Sequence, residues 1–175
     1  MRECEWCGAS VVSRRADARY CSGACRVAAH RAADRPLVAL RKNHRWVLWD
    51  EQKRPRTIDG GFASSTDPTT WATGSEVNGH PRIGYVLGDG IGCIDLDHCL
   101  TDGKPNAAAQ AFLENYPHHY IEVSPSGNGL HIWGTAPEGP GSKRIESGLS
   151  VERYTTGRYM TVTGRIYQHG SLLPL

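Results

Sequence analysis

Two carboxylates one residue apart mark the stretch of sequence that most constrains this chain. Residues 92–98 read Gly-Cys-Ile-Asp-Leu-Asp-His, so Asp95 and Asp97 alternate with the apolar Ile94 and Leu96. In a β-strand successive side chains point to opposite faces, which places both carboxylates on one face and both apolar side chains on the other. Carboxylate oxygens are the ligands that Mg²⁺ and Mn²⁺ prefer. The strand therefore predicts part of a metal site.

The charge of the chain is unevenly distributed. Of the 20 Lys and Arg residues 13 lie in residues 1–56, whereas only 6 of the 18 Asp and Glu residues do. A basic segment beside an acidic domain suits an enzyme that follows phosphates with cations and holds metal with acids. A solvated basic surface on a small domain explains the same charges equally well.

The sequence contains no membrane or export signal. No apolar run approaches the about 20 residues of a membrane helix, and the first residues, Met-Arg-Glu-Cys, lack the apolar segment of a signal peptide. We therefore expect no membrane partner and a cytoplasmic location.

Four of the six cysteines form two close pairs near the N-terminus: Cys4, Cys7, Cys21 and Cys25. Two short knuckles of this spacing can converge on one tetrahedral zinc ion, so we predict a structural zinc site. Unrelated thiols or two disulfides are the alternatives. Cys93 and Cys99 have no comparable pattern and are interpreted as packing residues.

An alanine-rich stretch over residues 22–34 predicts a helix that leaves the second knuckle and ends before Pro36. Its arginines could lie against nucleic acid, or the helix could simply be exposed. His30 is an alternative zinc ligand, although four cysteines already complete the coordination shell. We predict a zinc module over residues 1–35, a boundary within residues 36–43 and a main domain over residues 44–175.

The main domain is predicted to be α+β, with a mixed or antiparallel sheet and flanking helices. Residues 88–90, Gly-Asp-Gly, predict a hairpin that ends in the acidic strand, and the loop over residues 124–129 predicts a second hairpin. We expect Trp71 to anchor the first helix in the core. Strands are predicted over residues 46–49, 83–87, 92–96, 120–123, 130–133, 151–154 and 158–163, and helices from Pro68 and over residues 105–115.

Further side chains of the main domain suit a bound triphosphate. Glu152 alternates with its strand neighbours and is the natural third carboxylate, and His131 is predicted opposite the face of Leu130 and Ile132. Backbone N–H groups near Gly127 and Gly129 could cradle a phosphate. The cations available to neutralise the remaining phosphate charge are Lys53, Arg54, Arg56 and Arg158.

These segments, in this order, resemble the signature motifs of the primase-polymerase domains of phage and plasmid replication proteins, within the archaeo-eukaryotic primase superfamily. The similarity extends over roughly residues 44–165. The motifs that carry it are residues 93–98, 122–131, 151–154 with 158–164, and the upstream residues 61–71.

The resemblance implies a core similar to an RNA-recognition fold and template-directed nucleotidyl transfer with two metal ions, Mg²⁺ or Mn²⁺. It implies that Asp95, Asp97 and Glu152 bind the catalytic metals, that His131 and Ser126 contact the phosphates of the incoming nucleotide, and that Arg158 does so too. Its partners would be single-stranded DNA template, nucleoside triphosphates and a replicative helicase acting in trans. Zinc modules accompany many primases, where they help to hold template or the initiating nucleotide.

Two other functions fit the same residues. A non-catalytic, single-stranded nucleic-acid-binding accessory or regulator of replication would retain the fold and depend on the basic zinc module. A phosphodiesterase would use the same carboxylates to activate water.

Overall fold

The computed structural model of the chain describes residue 4 and residues 10–12, 18–27 and 36–175. Residues 23–27 are helical, as predicted, and the rest of that predicted helix, with His30, lies outside the described residues. Across these ranges no helix is both long and apolar enough to cross a membrane. The strands are β1 (His44–Trp49), β2 (Pro55–Arg56), β3 (Ala72–Thr73), β4 (Ile83–Val86), β5 (Ile91–Asp97), β6 (Leu100–Thr101), β7 (Lys104–Pro105), β8 (Tyr120–Val123), β9 (Leu130–Thr135), β10 (Ser142–Glu146), β11 (Leu149–Tyr154), β12 (Tyr159–Val162), β13 (Ile166–Gln168) and β14 (Leu173–Pro174).

The strands form two main sheets and one short pair. The first sheet has the order β12-β4-β1-β2, with β3 also paired to β1. The second has the order β10-β11-β5-β9-β8-β13, with β14 added in parallel to the end of β9. The other pairings are antiparallel, including the short β6-β7 pair. With few helices beside these sheets, the architecture agrees with the predicted α+β class.

The second sheet separates two hydrophobic clusters. On one face Cys93, Tyr120 and Trp133 pack against Trp46 and Tyr85 of the first sheet. On the other face the alternate residues of β5, β8 and β9 pack with the helix Ala107–Leu113. Alternation along each strand assigns its residues to one cluster or the other. Cys93 and Cys99 are both buried, as expected for packing residues.

The predicted hairpin around Gly-Asp-Gly is wrong. β4 and β5 lie in different sheets, and only the isolated bridge between Gly88 and Ile91 joins the two ends of the turn. The prediction of a turn at these residues is confirmed, because Gly88, Asp89 and Gly90 all have positive φ. Both edges of β5 are instead filled by β9 and β11, so the turn carries the chain from one sheet into the other.

The predicted helices are shorter than expected. The second is Ala107–Leu113, capped by the Asn106 side chain on Ala109 N–H, while Pro105 belongs to β7. The first is a single 3₁₀ turn, Pro68–Thr70; of the two residues that the sequence offers as its cap, Thr66 and Asp67, it is Asp67 that accepts a hydrogen bond from Thr69 N–H. Trp71 is only partly buried, and it is held by a 2.6 Å hydrogen bond from Nε1 to the Ser64 carbonyl.

The predicted boundary region is ordered and packed. Residues Pro36–Lys42 form a 3₁₀ helix whose Leu37 and Leu40 are buried in the cluster between the sheets. The Leu40 carbonyl accepts a 3.0 Å hydrogen bond from Trp46 Nε1. This segment therefore joins the core of the main domain.

Candidate active site

Strand register aligns the polar residues of the second sheet in one row. Glu152 of β11 lies opposite Asp95 of β5, Asp95 lies opposite His131 of β9, and His131 lies opposite Glu122 of β8. Residues paired across antiparallel strands project from the same face, which here is the face toward the first sheet. The same face of β5 is apolar at Cys93 and acidic further along, so the core ends where the site begins.

The three predicted carboxylates converge. Asp95, Asp97 and Glu152 each offer an oxygen within 4.8 Å of the others. Burial, then the charges of Asp97 and Glu152, raise the pKa of Asp95 from 3.8 to about 7. Repulsion of this kind is relieved by a bound cation, and three carboxylate oxygens are a donor set suited to Mg²⁺ or Mn²⁺. The residues therefore fit a divalent metal site.

Glu152 already has cationic and hydroxyl partners. Lys143 of the neighbouring strand β10 donates to Oε1, Tyr154 Oη donates to Oε2 at 2.7 Å, and an Arg158 guanidinium nitrogen lies 3.9 Å from Oε2. The Lys143 hydrogen bond, above all, lowers the pKa of Glu152. Sequence reasoning missed Lys143 and Tyr154. Only the β10-β11 register, which pairs Lys143 with Glu152, brings that lysine to the acids.

His131 is buried beside the acids as a neutral ring. Its residue is 3% exposed, and Nε2 lies 3.6 Å from Asp95 Oδ1. Burial lowers its pKa from 6.5 to about 4, and the positive charges of Lys53 and Arg165 add to the effect. At neutral pH the ring can thus donate one hydrogen bond and accept another without carrying charge.

Glu122 is the residue of this row to which the sequence analysis assigned no role. Its fully buried carboxylate accepts hydrogen bonds from Tyr120 Oη at 2.8 Å and from the backbone N–H groups of Thr163 at 3.1 Å and Gly164 at 2.9 Å. These bonds fasten the end of β12 to the second sheet. Glu122 therefore stabilises the connection between β12 and the second sheet, and it lines a separate pocket with Thr163 and Gly164.

The acids line a cleft of about 540 Å³ between the two sheets. Lys53 and Arg158 lie in its wall, and both charges oppose the rise in the pKa of Asp95. The Tyr159 hydroxyl donates to the Lys53 carbonyl, which links the two parts of that wall. Further lining residues are Pro55, Ser65, Ser124, Pro125, Ser126, Gly157, Met160 and Thr161.

Ser126 lines the cleft, whereas Gly127 and Gly129 lie beside it. The Gly127 N–H already donates to the Ser124 carbonyl at 3.0 Å, with φ of 85° at the glycine. A Cβ at Gly129 would lie 2.7 Å from the Leu96 carbonyl oxygen. The glycines therefore close the turn and permit its approach to β5, and the hydroxyl of Ser126 is the group that the loop presents.

The N-terminal cysteines are described in part. Cys4, Cys21 and Cys25 each place a sulfur within 4.8 Å of the others, and the sulfurs of Cys21 and Cys25 are 3.4 Å apart. Cys7 lies outside the described residues. Three converging thiols are compatible with the ligand set of a zinc knuckle.

Comparison with known proteins supports the sequence interpretation of the main domain. No protein family model matches the chain. The chain is 34% identical to a DNA primase-polymerase of Nitratiruptor phage NrS-1, over 75% of this chain and 20% of that protein. It thus spans about a fifth of the length of this relative. Identity of this extent supports a primase-polymerase domain within the chain.

Proposed function

We propose that the chain is a DNA primase-polymerase domain of phage or plasmid replication that catalyses template-directed nucleotidyl transfer. The observation that carries the proposal is the convergence of Asp95, Asp97 and Glu152 within 4.8 Å, in a cleft whose wall also presents Lys53 and Arg158. Acids beside cations are what a metal-bound triphosphate requires. The second sheet with its covering helix is the proposed catalytic core of the primase type.

The three carboxylates are the proposed ligands of two divalent cations, Mg²⁺ or Mn²⁺. The chemistry that ions held by these residues would supply is activation of the primer 3′-hydroxyl and stabilisation of the leaving pyrophosphate. The ionised acids are needed for binding, so Asp95 must release its proton, which its pKa of about 7 permits near neutral pH. Lys143 already neutralises part of the charge of Glu152.

The remaining groups of the cleft are assigned to the incoming nucleoside triphosphate. Lys53 and Arg158 supply positive charge to its phosphates. The Ser126 hydroxyl, which donates a 2.6 Å hydrogen bond to Asn128 Oδ1, would turn from that acceptor to donate to a phosphate oxygen. His131 contributes a neutral N–H, because burial holds its pKa near 4. A neutral donor orients a phosphate oxygen without repelling the bound metal ions.

The N-terminal segment, residues 1–35, is the proposed zinc module, with Cys4, Cys7, Cys21 and Cys25 as ligands. A zinc ion bound there contributes folding energy to a segment too small to hold itself together. Its role in the proposal is to hold single-stranded template for the catalytic domain. A replicative helicase acting in trans would supply that template.

Incorporation of labelled nucleotides on a single-stranded template in Mn²⁺ or Mg²⁺ tests the proposal. We expect labelled oligomers from the wild type and none from the double variant Asp95→Ala with Asp97→Ala. Asp102→Asn is the matched control, because Asp102 is an exposed acid in the β6-β7 turn with φ of 50°, which Asn tolerates. Product from the double variant would contradict the proposal. Template degradation without nucleotides would instead indicate a phosphodiesterase.

A further inference from the structure

A small hairpin over residues 53–65, here called the rim hairpin, borders the cleft. Arg56 and Phe62 form a bridge across it, with hydrogen bonds from Thr57 N–H to the Gly61 carbonyl and from Ala63 N–H to the Pro55 carbonyl, both 3.0 Å long. Its residues that line the cleft are Lys53, Pro55 and Ser65. Phe62 lies between these lining positions in the sequence, yet it is outside the cleft wall. The hairpin thus carries an aromatic ring at the edge of the site.

Phe62 is exposed in a way that core packing does not explain. It is 66% exposed, and it belongs to neither hydrophobic cluster. The guanidinium carbons of Arg56 and Arg54 lie 3.9 and 5.5 Å from the ring centroid. At 3.9 Å the Arg56 group covers part of the ring, and Arg54 approaches it at 5.5 Å, yet most of the residue remains exposed to solvent.

Two guanidiniums, those of Arg54 and Arg56, lie beside this ring. Asp50 accepts hydrogen bonds from both guanidiniums, at 2.8 Å from Arg54 and from Arg56, and fixes their positions. One carboxylate thus partners two guanidiniums, and Lys53 of the same hairpin lines the cleft. The acid within the hairpin, Asp59, accepts a hydrogen bond from the Thr57 hydroxyl. Glu51, which precedes the hairpin, has its Oε1 3.4 Å from an Arg82 guanidinium nitrogen.

We propose that Phe62, flanked by Arg54 and Arg56, is a stacking platform for a base of single-stranded nucleic acid at the mouth of the cleft. An exposed aromatic ring offers every base a π-face, while guanidiniums beside it attract the backbone phosphates. This inference rests on the proposed function, since it names the surface by which the strand reaches the acids.

The open position of the ring favours a strand over a free nucleotide. A nucleoside triphosphate bound at the acids occupies the cleft, whose lining residues do not include Phe62. The rim hairpin forms one side of the mouth through which a strand can lead into the cleft. Strand binding without sequence preference requires an aromatic face combined with cations, and the rim hairpin has both.

Binding of a fluorescein-labelled deoxythymidine oligomer, followed by anisotropy without nucleotide or added divalent metal, tests the platform. Phe62→Leu keeps the apolar bulk and removes the ring face, so we expect about tenfold weaker binding. Phe62→Trp should bind at least as tightly as the wild type, and its tryptophan emission should fall more on binding than that of the wild type, which has five tryptophans. Ile145→Ala, which truncates another exposed apolar residue, is the matched control and should bind like the wild type.

Equal affinity of wild type and Phe62→Leu, with both proteins folded by thermal melting, would overturn the platform. So would an effect of Phe62→Leu confined to nucleoside triphosphate binding measured without DNA, because the ring would then serve the nucleotide. Should Phe62→Leu fail to fold, a fall in the tryptophan emission of Phe62→Trp no larger than that of the wild type overturns it instead. The proposed function is tested separately: a wild type that binds DNA through Phe62 but incorporates no nucleotide refutes catalysis and leaves the platform intact.

Discussion

Replacing Asp95 with asparagine is expected to stabilise the metal-free protein above neutral pH. Burial and the charges of Asp97 and Glu152 raise the pKa of this carboxyl from 3.8 to about 7. One pKa unit corresponds to about 1.4 kcal/mol, so ionised Asp95 costs the folded state about 4 kcal/mol relative to the unfolded chain. Asparagine has nearly the same shape and cannot ionise, and the variant therefore avoids this cost.

The sign of the effect follows from the two titrations. The unfolded chain loses the Asp95 proton near pH 4 and the folded chain near pH 7. The stability associated with the protonated carboxyl is thus complete below about pH 4 and is lost as the pH rises through 7. Asp95→Asn should match the wild type near pH 4 and exceed it by up to about 4 kcal/mol at pH 8, or roughly 10 °C in melting temperature.

Thermal and urea unfolding between pH 4 and 8.5, without divalent metal, measure this difference. Asp102→Asn serves as the control for loss of an exposed acid and should follow the wild type at every pH. Added Mn²⁺ should raise the melting temperature of the wild type and leave that of Asp95→Asn nearly unchanged. An Asp95→Asn protein no more stable than the wild type at pH 8 would refute the reasoning, because neither burial nor the neighbouring acids would then oppose the ionisation of Asp95.

Three further changes test other contacts. Lys143→Met removes the ammonium that competes for Glu152, so Mn²⁺ should bind about two- to fivefold more tightly by calorimetry, a small effect because the lysine is largely exposed. Gly129→Ala places a methyl group 2.7 Å from the Leu96 carbonyl oxygen, and urea unfolding should show a loss of about 1–3 kcal/mol. Cys21→Ser should reduce the zinc content from about one ion per chain, measured by atomic absorption, and lower the melting temperature.

Each of these changes has a contradicting outcome. Weaker Mn²⁺ binding by Lys143→Met would mean that the lysine organises Glu152 for metal and does not compete with it. Unchanged stability of Gly129→Ala would mean that the turn is free to move away from β5. Equal zinc in Cys21→Ser and wild type would remove Cys21 from the ligand set.

Alternation along single strands made much of the site predictable. Apolar Ile94 and Leu96 fix the face of Asp95 and Asp97, and Leu130 and Ile132 fix the face of His131 in the same way. The predicted β8-β9 hairpin is confirmed. It can be predicted because its two strands are adjacent in the sequence and a glycine-bearing turn joins them. Side-chain alternation within one strand, and a turn between two adjacent strands, depend only on residues that are close together in the sequence.

The missed features depend on which strands become neighbours. Gly-Asp-Gly correctly indicates a turn, yet a turn does not determine whether the two strands it joins pair with each other or with more distant partners. Lys143 reaches Glu152 only through the β10-β11 register. Whether the Gly127 N–H is available to a phosphate likewise depends on its turn, in which this N–H already donates a hydrogen bond to the Ser124 carbonyl. Such contacts are set by tertiary packing.

The most direct test of the account is the sequence of the product that the protein makes on two templates of different sequence, with Mn²⁺ and all nucleotides present. Transfer directed by template at the three acids predicts a product complementary to whichever template is supplied. It also predicts loss of that product in Asp97→Asn and in Glu152→Gln, but not in Asp102→Asn. A product independent of the template, or one that persists in both acid variants, would contradict the central claim.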